Sequence, residues 1–174
     1  RIIREKGTNR YQYSKGFVDK YTWVDLGSSY LPNELTAAFL YAQLQQLEFI
    51  TKTRLEIWEA YQTSLGSGQH GAKWIPPSFE DGAKQNAHMY HLRLQSKQDR
   101  DAFIEHMRQH NILCTFHYVP LHSSPYGKIK GRHIGSMSVT ATTSDTLVRM
   151  PLWIGLEKHV EYIISAAENY SSAT

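Results

Sequence analysis

An uninterrupted helical pattern over residues 33–65 constrains the fold of this chain more than any other feature. Apolar side chains recur there at three- and four-residue steps, and neither glycine nor proline occurs between the two ends. Pro32, Asn33 and Glu34 supply a helix start, with Asn33 as the cap. At 1.5 Å per residue such a helix would be roughly 45 Å long, more than one small domain needs to cover itself. The pattern therefore predicts one long helix that spans two packed bodies.

The rest of the chain predicts short strands alternating with helices. Strands are expected at 87–94 and 112–118, and helices at 99–110, 144–150 and 156–170. A loop containing glycine and serine is expected over 123–140. The alternation in the first strand leaves open whether the residues in register with His88 or with Met89 face the core. This element order favours an α/β chain, specifically an α+β small domain in which helices flank a small antiparallel sheet.

Size and composition indicate a folded protein of one domain. The chain has 174 residues, of which 41% are hydrophobic and 12% aromatic, too many for an intrinsically disordered protein. No apolar run approaches the ~18 residues of a membrane span, and residues 1–10 lack the apolar stretch of a secretory signal. The lone cysteine, Cys114, excludes an internal disulfide framework. These observations predict a cytoplasmic protein without a membrane partner.

The sequence of residues 1–30 predicts an irregular arm whose first 20 residues are basic. Residues 1–20 hold six Lys or Arg against two acidic residues, whereas the remainder has 13 against 14. Aromatic residues are interleaved with these charges. Such an arm could stack on single-stranded nucleic acid, dock on a protein surface, or remain a solvated tail.

Local motifs alone predict no reaction. Residues 66–71 fit GxGxxG, but a helix rather than a strand precedes them, so a flexible helix exit is the better interpretation. Cys114, His117 and His122 are zinc-type ligands without a fourth partner, and no metal site is predicted from them. His117 and His122 flank a turn at Pro120, where side chains could reach a polar ligand or serve a structural role.

Several motifs together resemble one enzyme family. They are Arg-Glu-Lys-Gly-Thr-Asn-Arg at 4–10, the run at 19–31 that ends Gly-Ser-Ser-Tyr-Leu, and the segments at 85–89, 116–122 and 149–152. The sequence resembles the DegT/DnrJ/StrS sugar-nucleotide aminotransferases over nearly its whole length. Within that family it resembles the WecE/RffA-type subgroup, which acts in enterobacterial common antigen and lipopolysaccharide sugar synthesis.

The resemblance implies a fold type I transaminase that uses pyridoxal phosphate (PLP). Such an enzyme is a homo-oligomer, expected here to be a dimer, and moves the amino group of glutamate to C4 of dTDP-4-oxo-6-deoxyglucose. In the family a lysine in a Ser-Phe-His-x-x-Lys motif binds PLP covalently, and that motif does not occur in this sequence. The resemblance therefore implies a C-terminal part of the enzyme, inactive alone and without a catalytic residue. Residues 1–31 would end the large domain and its interface, and residues 32–174 would form the small domain.

The resemblance also assigns binding residues. Ser29 stands where most relatives carry an asparagine that reaches the PLP phosphate of the neighbouring subunit, and a hydroxyl can still donate one hydrogen bond. Leu31 replaces an arginine and cannot supply its charge. Tyr30, His117 and His122 are the expected substrate-binding residues.

Two other classes of function stay open at this point. The missing lysine is equally expected of a non-catalytic binding or assembly module. The basic aromatic arm leaves single-stranded nucleic-acid binding as a remote alternative, although no nucleic-acid partner is predicted.

Overall fold

The computed structural model describes residues 1–67 and 73–171. Internal contacts divide the chain into two compact units, Arg1–Leu47 and Glu48–Thr174. The division predicted at 31/32 concerns the domains of a whole enzyme and stays a prediction. Most of the GxGxxG match at 66–71 lies outside the described residues.

The N-terminal arm is more ordered than its sequence indicates. It contains a short helix, α1 (Arg10–Ser14), and Glu5 and Thr8 form isolated bridges with Ser29 and Trp23. Gly7 has a φ of 73°, and a side chain there would collide with the backbone of Asp25. The prediction of a wholly irregular arm is therefore wrong, because backbone hydrogen bonds between distant motifs fix its course.

The predicted long helix is two helices. The first, α2 (Glu34–Gln45), begins at Asn33, whose side-chain oxygen accepts a hydrogen bond from the Thr36 amide at 2.9 Å. The second, α3, spans Leu47–Leu65. Gln46 separates them with φ −104° and ψ 12°, and its amide donates to the Gln43 carbonyl at 3.0 Å. The prediction of one continuous helix is wrong at this residue.

Four short strands form an antiparallel sheet in the second unit. They are β1 (Trp74–Ile75), β2 (Tyr90–Leu94), β3 (Thr115–Phe116) and β4 (Leu147–Met150), in the spatial order β1-β2-β4-β3. In β2, the residues in register with His88 face the core, since Tyr90, Leu92 and Leu94 are buried. The strand predicted at 112–118 is only two residues long.

The largest correction concerns residues 144–150. They were expected to form a helix, but the helix α6 (Ser138–Thr146) ends before Leu147, and β4 then pairs with both β2 and β3. The predicted loop at 123–140 contains α5 (Pro125–Lys130) and the start of α6. Residues 147–150 form a strand because they pair with two neighbouring strands and bury Val148 and Met150 in the core.

The remaining helices enclose the core of the second unit. They are α4 (Lys97–Gln109) and α7 (Val160–Glu168), and 3₁₀ turns lie at Leu121–Ser123 and Glu157–His159. Phe103 and Met107 of α4 are fully buried. The structure confirms the predicted fold class, a mixed α/β chain with a small antiparallel sheet and flanking helices. Within the described residues no helix has the length and hydrophobicity needed to span a membrane.

Candidate cofactor and substrate sites

Ser29 lines a cavity of about 600 Å³ in the first unit. Its strand-like backbone is held against the segment at 4–6, because the Lys6 amide donates to the Ser28 carbonyl and the Tyr30 amide to the Arg4 carbonyl, each at 3.1 Å. The Ser29 side chain is exposed, so its hydroxyl is free to donate to a ligand.

The same cavity has a basic lining. Arg4, Lys6 and Arg10 contribute three cations against two carboxylates, Glu5 and Glu34. A hydroxyl beside several cations is a suitable donor set for a phosphate group. In the sequence these cations are visible as part of the charge excess of the arm and of the motif at 4–10, without a sign that they share a cavity with Ser29.

Leu31, which stands in place of the family's arginine, and Tyr30, a predicted substrate contact, differ in their position relative to this cavity. Leu31 lines the cavity and brings no charge to it, as expected from its sequence. Tyr30 is 68% exposed and is not among the residues that line the cavity. The structure therefore brings Ser29 and Leu31 together and leaves Tyr30 outside.

In the second unit His122 lines a cavity of about 750 Å³. Lys128, Arg132 and His133 line it too, and none of its described lining residues carries a carboxylate. The His122 and His133 rings meet edge to face with centroids 5.6 Å apart. Lys128, Arg132 and His133 fall in the loop predicted at 123–140, and nothing in the sequence connected them with His122.

The 3₁₀ turn at Leu121–Ser123 and α5 pack tightly together where they line this cavity. The Ser124 hydroxyl accepts a hydrogen bond from the Gly127 amide at 3.1 Å and so caps α5. A side chain at Gly127 would collide with the Leu121 carbonyl, so glycine is required for α5 to lie against the 3₁₀ turn that carries His122.

His117 lines a neighbouring cavity of about 610 Å³ that is mainly apolar. The two cavities share Pro120, Leu121 and Thr140. The Nδ1 atom of His117 is buried and has no hydrogen-bond partner among the described residues. The structure thus places His117 and His122 on adjacent cavities rather than in one.

Cys114 does not join these histidines. Its side chain is buried, with Sγ 3.8 Å from Met150 Sδ, and burial raises the pKa of the thiol to about 12. In the part of the chain that the structure describes, no three His, Cys, Asp or Glu side chains are grouped so as to hold a metal ion.

A protein-family model matches nearly the whole chain. The model of the DegT/DnrJ/EryC1/StrS aminotransferase family matches residues 1–168. The chain belongs to the DegT/DnrJ/EryC1/StrS aminotransferase family. One relative in sequence is the dTDP-4-dehydro-2,3,6-trideoxy-D-glucose 4-aminotransferase of Saccharopolyspora spinosa. It is 33% identical over 102 residues, which are 58% of this chain and 26% of that protein.

Solved structures of sugar aminotransferases share the fold. DesV of S. venezuelae superimposes with a TM-score of 0.80 and 21% identity, over 98% of this chain and 44% of that one. Spr1654 of Streptococcus pneumoniae, assigned as a sugar aminotransferase and solved in PLP and PMP forms, gives a TM-score of 0.78 and 19% identity. Its PLP form is matched over 96% of this chain and 41% of that one. This family member therefore spans less than half the length of these relatives.

Proposed function

We propose that this chain is the C-terminal part of a PLP-dependent sugar-nucleotide aminotransferase. The observation that carries the proposal is the family match over residues 1–168, in a chain that lacks the Ser-Phe-His-x-x-Lys motif. The proposed reaction moves the amino group of glutamate to C4 of dTDP-4-oxo-6-deoxyglucose, as in the WecE/RffA-type subgroup. The 4-aminotransferase among the relatives supports a C4 keto sugar as the substrate class. We also propose a cytoplasmic location, which the lone, buried Cys114 supports.

The cavity at Ser29 fits the phosphate of PLP. Ser29 would donate one hydrogen bond to a phosphate oxygen. The cations of Arg4, Lys6 and Arg10 would stabilise the negative charge of the phosphate. When bound, PLP supplies an electron sink for amino-group transfer, and the covalent lysine would come from outside residues 1–174. In the proposal this cavity completes a cofactor site of the partner subunit in a homodimer.

The second unit would bind the substrate. We propose that His122 contacts the nucleotide sugar, because it lines a basic cavity suited to an anionic ligand. His117, with an unpartnered buried nitrogen, would donate to or accept from a sugar hydroxyl. Tyr30 stays a predicted substrate contact.

The test of the proposal compares the chain alone with the protein encoded by the full reading frame that contains it. We call that protein the restored enzyme. We expect amino transfer from glutamate, and PLP absorbance between about 330 and about 430 nm, only in the restored enzyme. Borohydride reduction that attaches PLP to a lysine of the isolated chain would contradict the proposed inactivity. A restored protein without a PLP spectrum would favour the non-catalytic module instead.

His122 can be tested in the restored enzyme. We expect His122→Ala to raise the KM for the nucleotide sugar and to leave the PLP spectrum unchanged, because its cavity lies in the second unit and is not the one at Ser29. Steady-state kinetics would measure the change. Unchanged kinetics would favour a structural histidine.

A further inference from the structure

We propose that Lys128 and Arg132 bind the diphosphate of the nucleotide sugar in the cavity lined by His122. The inference rests on the proposed nucleotide-sugar substrate and names the residues that would recognise its most highly charged part.

All the charged side chains in the segment around the cavity are basic. Residues 120–140 contain three Lys or Arg and no Asp or Glu. Lys128 projects from α5 and Arg132 follows its C-terminal Gly131, and both line the cavity together with the imidazoles of His122 and His133. Neither cation has a salt-bridge partner within residues 1–67 and 73–171. An anion is therefore the ligand that this lining would stabilise.

The dimensions point to a ligand larger than an inorganic anion. A volume of about 750 Å³ lies within the usual range for small-molecule sites. The mainly apolar cavity at His117 adjoins it across Pro120 and Leu121, and Tyr118 and Val139 line that second space. A ligand with an anionic centre and a less polar end fits the pair, and a nucleoside diphosphate carrying a deoxysugar has that form.

The two cations differ in their chemistry. The planar guanidinium of Arg132 can donate two parallel hydrogen bonds to phosphate oxygens, whereas Lys128 acts as a compact point charge. Both side chains are exposed, so solvent screening limits the effect of removing either one to about a fivefold change in Kd.

The experiment measures dTDP binding to the 174-residue chain by titration calorimetry at low ionic strength. We expect Lys128→Ala and Arg132→Ala each to raise the Kd about fivefold, and the double variant roughly 25-fold if the two act independently. The matched control is Lys130→Ala, which removes the same charge from the same helix but from a residue that does not line the cavity. Circular dichroism would check that each variant is folded.

Comparison ligands identify what is recognised. We expect pyrophosphate and thymidine to bind more weakly than dTDP, and thymidine binding to be insensitive to Lys128→Ala. Pyrophosphate that binds as tightly as dTDP would overturn the inference in favour of a general anion site. So would an equal loss with Lys130→Ala, tighter binding of a single-stranded oligonucleotide, or no dTDP binding up to about 1 mM.

The outcome is independent of the proposed activity. If the restored enzyme transfers no amino group while dTDP binding depends on Lys128 and Arg132, the proposed reaction fails and the diphosphate site stands. If amino transfer occurs without that dependence, the diphosphate is bound elsewhere.

Discussion

Burial makes Cys114 an inert member of the core. The thiol lies against Met150, and its pKa of about 12 leaves almost no thiolate near neutral pH. We expect a thiol-reactive disulfide reagent to label the folded chain at pH 8 far more slowly than the chain in denaturant. Absorbance of the released thiol would measure both rates. Equal rates would contradict the buried position of Cys114.

Ser29 is the residue whose substitution tests the cofactor contact. Because one hydrogen bond to a charged group contributes about 1.5–3 kcal/mol, Ser29→Ala should weaken PLP retention in the restored enzyme about ten- to a hundredfold. Dialysis followed by a PLP spectrum would measure retention.

The neighbouring serine provides the control for that experiment. Ser28 takes part through its backbone carbonyl and does not line the cavity, so Ser28→Ala should retain PLP. Ser29→Thr keeps a hydroxyl and should retain most of it. A Ser29→Ala enzyme that holds PLP like its parent would show that the role carried over from the family motif is wrong.

At this scale, motif resemblance gives single candidate residues but not their neighbours. Ser29 was proposed because it stands at a fixed place in a family motif. The basic lining from Arg4, Lys6 and Arg10 was not, since it depends on a backbone course fixed by Gly7 at positive φ and by the pairing of Glu5 with Ser29, 24 residues further along the chain. Lys128 and Arg132 were missed as partners of His122 because α5 was not predicted.

Among the elements, β4 and α6 show where periodicity misleads. The α6 sequence is rich in Thr and Ser, which are weak helix formers, and no side chain caps its start at Met137. The sequence pattern therefore predicted the helix too late in the chain, at residues 144–150. Long-range pairing with β2 and β3, which no local pattern contains, makes that segment a strand. By contrast, α4 has a capping Ser96 and a clear apolar face, and its position was predicted within two residues at its start.

The strand β2 carries a pH-sensitive group on the sheet face opposite the core. Burial, and then the charges of Arg93 and His117, lower the pKa of His91, whose partner across the sheet is Arg149. A lowered pKa in the folded state means that the unfolded chain takes up this proton first as the pH falls. His91 should therefore reduce the free energy of unfolding as the pH drops below about 6.5.

This prediction can be measured by urea unfolding between about pH 7 and about pH 5. We expect His91→Gln to lose less stability over that interval than the parent chain. His159→Gln removes an exposed histidine from a 3₁₀ turn and is the matched control. An identical slope in the parent and in His91→Gln would contradict the role of His91.

On the scale of the whole molecule, the first unit has an apolar helix without a core of its own. No residue of α2 is buried, and Leu35, Phe39, Leu40 and Leu44 are each more than half exposed. Contiguous apolar surface of this kind usually marks an interface with another chain or with a further part of the same chain. It is consistent with the proposed homo-oligomer.

The isolated chain should consequently self-associate through α2. Light scattering at tens of micromolar, an order-of-magnitude choice for a weak interaction, should give a mass above that of one 20.1 kDa chain. Phe39→Glu should shift the mass toward the monomer, because it places a charge where a 70% exposed aromatic ring would be buried in the contact. Ala38→Glu adds the same charge to the same helix without removing a large apolar side chain, and should shift the mass less. A monomeric parent chain at this concentration would contradict the prediction, and equal effects of the two variants would mean that α2 charge rather than the Phe39 contact controls assembly.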